Sequence, residues 1–315
     1  MNRFLTMLLL AGVVCWMTSA HWQHVEVAKL GDKIRLHEEV LSNTAPDPYQ
    51  YKLWVIEHAI AWTARTTGQP LQHVWMANTL LSLLFLVWLH HRWLRALASP
   101  AAALFGSVLL GALANAVFVI YYLHSYEFWG VGMFCLLLVA IYRDTAWWKL
   151  ALLCLVTGLV WEKHALLAAL WGLWQLIRKR PFWPSLVQGL VMLAAALAIP
   201  LLVRWHLGGD RGYVDGDTFL ADQAWEKVAW FQVPYILPFV AMLFASWSRQ
   251  SVWVRLLWIY LPVLFAAYLS QNYIVHETRS FWALVPVFTA TATVWFAGLT
   301  VTPSAEPPTQ PVPPQ

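Results

Sequence analysis

Apolar runs about as long as a bilayer is thick recur through this chain, and they constrain its fold more than any other feature. An α-helix needs roughly 20 apolar residues to cross a hydrocarbon core of about 30 Å. Residues 4–20, 72–89, 101–123, 183–203, 229–247 and 252–270 meet that length with almost no charge. A further run, 280–301, follows the polar cluster His276-Glu277-Thr278-Arg279, and a shorter one, 128–142, is bounded by Glu127 and Arg143. In lipid every main-chain polar group must be satisfied within the protein, so runs of this kind fold as helices. No segments alternate apolar and polar residues with aromatic girdles, the pattern of a membrane β-barrel. The chain therefore reads as all-α, a polytopic transmembrane helical bundle.

Composition agrees. Only 11% of residues are charged and mean hydropathy is +0.56, whereas a soluble domain needs about 25% charged residues to cover its surface. The net charge of +4 is spread over 315 residues, with no basic run longer than Arg178-Lys179-Arg180. That distribution excludes a phosphate-tracking stripe and hence a nucleic-acid partner. Many of the 22 tryptophans stand at the ends of apolar runs, among them Trp16, Trp93, Trp147, Trp148, Trp183, Trp247 and Trp253, as expected at a membrane interface. Cys15, Cys135 and Cys154 all lie inside apolar runs and read as small hydrophobes.

The stretch 149–177 carries Glu162-Lys163-His164 at its middle, so it is either one interrupted helix or a hairpin of two short ones. Charge placement selects the hairpin. With Arg3 inside, the clusters Arg92/Arg95, Arg143/Lys149, Arg178–Arg180 and Arg249/Arg255 all fall on the cytoplasmic side only if 149–177 crosses twice. The count is then about ten spans, two of them short, with both termini cytoplasmic in a cell inner membrane. Lys29, Lys33, Arg35, Lys52 and Arg65 are exceptions to the rule, on the outer side. The first run, ending Thr18-Ser19-Ala20, reads either as an uncleaved anchor or as a signal peptide, with the anchor the commoner outcome in a chain of many spans.

Residues 1–301 form one transmembrane domain on this reading, with a Pro-rich, disordered cytoplasmic tail at 302–315. The external loop 21–71 is patterned. Leu30, Ile34 and Leu41 on one side of Pro46/Pro48, and Leu53, Ile56 and Ile60 on the other, predict two helices lying in the interface. A second external loop, 205–228, contains Asp210, Asp215, Asp217 and Asp222. These offer hard oxygen ligands to a divalent cation, but their spacing matches no EF-hand, and a solvated acidic loop is the simpler reading. His21, His24 and Glu26 complete no metal motif, and no cofactor motif is present.

Ionisable residues at membrane depth are costly and so are candidates for function. Asp47, Glu127, Glu162, Lys163, His164, His276, Glu277 and Arg279 all fall at predicted outer ends, which suggests a polar cavity at the outer surface. Arg279 offers a donor fork for phosphate or carboxylate. Asp47 is held in a turn by the prolines on either side, with Tyr49 and Tyr51 at headgroup level. Each has a plainer reading as well: a turn-stabilising pairing of Glu162 with Lys163 or with His164, an incidental pair at Glu277–Arg279, an Asx turn at Asp47.

With these residues in view, the chain resembles the GT-C superfamily of polyprenyl-phosphate-sugar-dependent glycosyltransferases, and the related bacterial polytopic membrane proteins of the same layout. The likeness lies in the long first external loop, Pro48-Tyr49-Gln50-Tyr51-Lys52 leading into a helix, the short hairpin bearing Glu162, and His276-Glu277-Thr278-Arg279 before a late span. It implies sugar transfer from a polyprenyl-phosphate donor at the outer face. An acidic residue of the first external loop, Glu26 or Asp47, would be the general base. Glu127 and Glu162 are further candidates for base or acceptor orientation. Arg279 and Lys163 would hold the phosphate, with His276, Glu277, His164, Tyr49 and Tyr51 lining the site. No Asp-Asp or Asp-Glu pair follows the first span, where the family usually has one. The other class compatible with the same cavity is a transporter, a lipid- or solute-binding protein, or an assembly subunit.

Overall fold

A computed structural model describes the backbone of residues 3–27, 30–45, 49–120, 125–160, 164–207, 229–263 and 282–300, with the side chains of 25–26, 49–52, 117–120, 229–235 and 300 outside the description. Among these residues the regular structure is entirely helical. In chain order the α-helices are α1 Arg3–His21, α2 Leu30–Leu41, α3 Tyr49–Thr67, α4 Leu71–Leu97, α5 Pro100–Ile120, α6 Ser125–Tyr142, α7 Trp147–Gly158, α8 His164–Ile177, α9 Phe182–Leu207, α10 Ala229–Ala245, α11 Val252–Leu257 and α12 Val285–Thr300. Among the described residues, five helices are long and apolar enough to cross a membrane: Arg3–His24, Leu71–Leu97, Ser125–Tyr142, Phe182–Leu207 and Trp282–Leu299.

Side-chain contacts set the register. Along α4 and α6, Asn78 meets Ser125 and Trp129, Phe85 meets Trp129, and Trp93 meets Tyr142, so the two helices run parallel. Along α10 and α12, Phe239 stacks on Phe288 and Gly298 lies against the Arg249 guanidinium, again parallel. One end of the bundle, here the first end, thus collects the close of α4, α6, α8, α10 and α12 and the start of α5, α7 and α9. The opposite, second end carries α2, α3 and the beginnings of α4 and α6. The largest fully buried side chains include Trp75, Trp93, Trp253 and Trp282.

The segment 149–177 closes as a hairpin. Arg178, just past α8, donates from Nη1 to Asp144 Oδ1 at 2.6 Å and from Nη2 to Oδ2 at 3.2 Å, which brings the exit of α8 back to the entry of α7. At 12 and 14 residues the two helices are about 18 and 21 Å long, short of a ~30 Å core. Both pack on α9 through small residues. A Cβ on Gly158 would press on the Ala196 carbonyl, and Gly172 faces Gly189. Close backbone approach of this kind is how helices associate where water supplies no driving force.

Two boundaries differ from expectation. The run at 128–142 begins earlier, at Ser125, so Glu127 lies inside the first turn of α6 and is 6% exposed. The helix at 72–89 continues to Leu97 through His90, His91, Arg92 and Arg95, because long cationic side chains extend past the apolar zone while their stems stay on the helix.

Cysteines replacing Asp144 and Arg178 should be joined by a short bis-maleimide and label from the same side of the membrane. Labelling from opposite sides would overturn the hairpin. The Arg178 hydrogen bond holds the Asp144 carboxyl below the usual carboxylate range. A depressed carboxyl contributes stability above its unfolded pKa and loses it as pH falls through the folded value. Asp144→Asn should therefore flatten the acid limb of thermal stability below about pH 4, by at most about 1 kcal/mol for a pair this exposed.

Candidate functional site: a buried polar cluster under the amphipathic helices

The link between the first two long spans folds as α2 and α3, on either side of the two prolines as expected. What they bury is different. The inward stripe of α2 is Lys33, His37 and Val40, and that of α3 is Leu53, Glu57, Ile60 and Ala61. Leu30, Ile34, Leu41 and Ile56 are only half-buried. Each stripe keeps a helical i, i+4, i+7 spacing, but a titratable side chain stands at its centre.

These side chains meet one another and the start of α4. The His37 imidazole donates from Nδ1 to Glu57 Oε2 at 2.7 Å, and the Trp75 indole N–H donates to the same oxygen at 3.2 Å. His37 also stands edge-on to the Trp75 ring, centroids 5.3 Å apart, and Lys33 Nζ lies 4.5 Å from that ring's centroid. Glu57 and His37 are each 5% exposed and Trp75 is 1% exposed. A carboxylate withdrawn from water this far persists only with charge-assisted hydrogen bonds of this kind. Beside the cluster, Val40, Ala45, Leu53 and Tyr126 form a small apolar core tying α2 and α3 to the start of α6.

Of the residues singled out from sequence, His164 and Glu127 are described in full. His164 is completely buried. Its Nδ1 lies 3.1 Å from the Thr157 carbonyl and its Nε2 3.0 Å from the Gly130 carbonyl, with Phe134 stacked nearby. A neutral ring can donate to one of these at a time. The ring therefore joins α7, α8 and α6 below the hairpin tip. Glu127 is buried in the first turn of α6, next to Phe128, whose ring meets the buried His21 edge-on at 5.2 Å. His24, by contrast, is exposed. Tyr49 and Tyr51 lie in the first turn of α3, and Glu26 in the π-helical turn Trp22–Val27 that extends α1. Asp47, Glu162, Lys163, His276, Glu277, Arg279 and the aspartates Asp210, Asp215, Asp217 and Asp222 lie outside the described residues. Among the described residues no three His, Cys, Asp or Glu side chains gather as metal ligands.

Lys33, His37, Glu57 and Trp75 are the residues that reading the sequence missed. The signal was the spacing of Lys33, His37 and Val40, which shares a face as good as that of Leu30, Ile34 and Leu41. Hydrophobicity alone marked the other, half-buried face.

The fold and this cluster define an all-helical protein built on bilayer-length helices, with a carboxylate, an imidazole, an ammonium and an indole buried together at one end. Comparison with protein-family models, curated proteins and solved structures gives no match, so the chemistry is read from this geometry.

His37→Ala should strip Glu57 of its shortest hydrogen bond and destabilise the protein by about 1–3 kcal/mol. Glu57→Ala should cost a similar amount, and the double variant less than the two together. Thermal unfolding in detergent measures this cycle; additive losses would mean that the pair does not act as a unit.

Proposed function

We propose that this chain is a multi-pass protein of the bacterial inner membrane, with about ten crossings and both termini cytoplasmic, that transfers a sugar from a polyprenyl-phosphate donor at its outer end in the manner of the GT-C glycosyltransferases. The observation that supports this most is the His37–Glu57–Trp75 tie. It clamps α2 and α3 over the start of α4, and the short link between those helices carries Asp47. A general base needs a fixed position relative to its acceptor, and what supports the reading is that the helices flanking this link are joined to each other.

On this proposal Asp47 takes the proton of the acceptor hydroxyl while that oxygen forms the new bond to the sugar's anomeric carbon. The bond from that carbon to the phosphate oxygen breaks, and polyprenyl phosphate leaves with the electron pair, its charge held by Arg279 and Lys163. Glu26, Glu127 and Glu162 are assigned as groups that orient the acceptor and His276, Glu277, Tyr49 and Tyr51 as lining, while the fully buried His164 braces the hairpin and lines nothing. His37 and Glu57 are positioning residues.

Vesicles containing the protein should incorporate labelled sugar from a polyprenyl-phosphate-linked donor. Asp47→Asn should lower kcat by about 10²–10⁴-fold, the range of general-base catalysis, at unchanged folded yield. Arg279→Lys keeps the charge but loses the fork, and should raise the donor KM. Absence of transfer with any such donor would overturn the proposal. A second reading, a binding protein without turnover, is favoured by the way His164 and Glu57 spend their polar atoms on the chain itself; donor binding without sugar release would support it.

A further inference from the structure

Closing the α7–α8 hairpin does more than shorten two helices. It gathers, at the first end, two segments far apart in sequence: 143–149, which enters α7, and 174–183, which leaves α8 and enters α9. Together these hold Arg143, Lys149, Arg178, Lys179 and Arg180 against a single carboxylate, Asp144. Five cations less one carboxylate leave +4, equal to the formal net charge of the entire chain, so the rest of the protein sums to zero.

The Asp144 carboxylate is already engaged. Arg178 holds both its oxygens, and Arg180 approaches within 3.9 Å. That brace orients the two strands of the hairpin base and leaves the guanidinium of Arg143 and the ammonium groups of Lys149 and Lys179 to other partners; all three residues are exposed. Lys179 adopts a left-handed backbone, φ 59°, which turns the chain sharply at the end of α8.

The surface around these cations is aromatic. Trp147, Trp148, Phe182 and Trp183 are 38%, 54%, 52% and 69% exposed, which is too much bare aromatic surface for a face meant for water. Lys149 lies over the Trp148 ring at 5.3 Å and Arg178 over the Trp174 ring at 5.9 Å. Exposed tryptophans beside cations, at the ends of apolar helices, meet the level where acyl chains give way to phosphate. Basic pockets between helix ends hold anionic lipid headgroups through the same chemistry.

We infer that the base of the α7–α8 hairpin is a docking site for the headgroup of an anionic phospholipid, its phosphates held by Arg143, Lys149, Lys179 and Arg180 and its acyl chains laid against Trp148 and Trp183. The inference rests on charge complementarity and aromatic exposure at the end of the helices and is independent of the proposed transferase activity.

Native mass spectrometry of the full-length protein in detergent, titrated with cardiolipin or with phosphatidylcholine, tests it. Cardiolipin should be retained in preference to phosphatidylcholine. The double variant Lys149→Gln/Lys179→Gln removes two cations without touching the Asp144 brace, and should weaken cardiolipin about 30-fold, at about fivefold per cation near a lipid phosphate. Arg35→Gln/Arg65→Gln, an equal loss of charge in α2 and α3, should leave it unchanged. Equal retention of the two lipids, or equal weakening by both double variants, would overturn the site. Displacement of cardiolipin by millimolar inorganic pyrophosphate would also overturn it, since the patch would then bind a soluble phosphate and not a lipid.

Discussion

A helix in hydrocarbon has no water to satisfy the groups at its ends, and the structure turns on how that requirement is met where helices stop short. The tip of the α7–α8 hairpin is the clearest case. α7 ends at Gly158, and the amides of Leu159 and Val160 turn back onto the Val156 and Thr157 carbonyls. The His164 ring then lies against the carbonyls of Thr157 and Gly130. One imidazole thereby closes the end of α7, starts α8 and holds both to α6. Elsewhere side chains do the same between neighbours: Trp93 donates to the Pro286 carbonyl, and the buried His90 meets Thr289, whose hydroxyl donates to Val285. These are polar contacts in an apolar setting, where an unmade bond would cost several kcal/mol.

The two ends of the bundle solve the problem of charge in opposite ways. At the second end charge is withdrawn: Lys33, His37 and Glu57 are buried and bonded to each other or stacked on Trp75. At the first end charge is displayed. Arg92 over Trp88, Lys149 over Trp148, Arg178 over Trp174 and Arg255 over Trp247 repeat one motif, a cation on an indole face. A buried hydrogen-bonded cluster is held by geometry, whereas a displayed cation acts through long-range attraction to anions and is screened by salt. The first kind of end suits a site that must stay in register, and the second a surface that meets lipid.

Much of the architecture is legible in the amino-acid sequence. The length of the apolar runs gave the helices, because burying unpaired main-chain groups in lipid is costlier than any local propensity. Charge placement pointed to the hairpin, and the Asp144–Arg178 fork shows its two ends meeting. The break at Pro46 and Pro48 separated α2 from α3. The site was less legible. Hydrophobic periodicity marked Leu30, Ile34 and Leu41 as an interfacial stripe, but the face of α2 buried against the protein is Lys33, His37 and Val40, because a partner carboxylate twenty residues away on Glu57 and an indole on α4 repay the burial.

Sequence alone, then, determined that this chain is helical, apolar and built of bilayer-length segments, since those properties follow from composition and local period. Tertiary structure decided which polar residues face each other. His37 finds Glu57, His164 finds Gly130, and Arg178 finds Asp144 across separations of 20, 34 and 34 residues. No local pattern encodes such pairs, because the energy that selects them exists only after the helices have packed and water has been removed from between them.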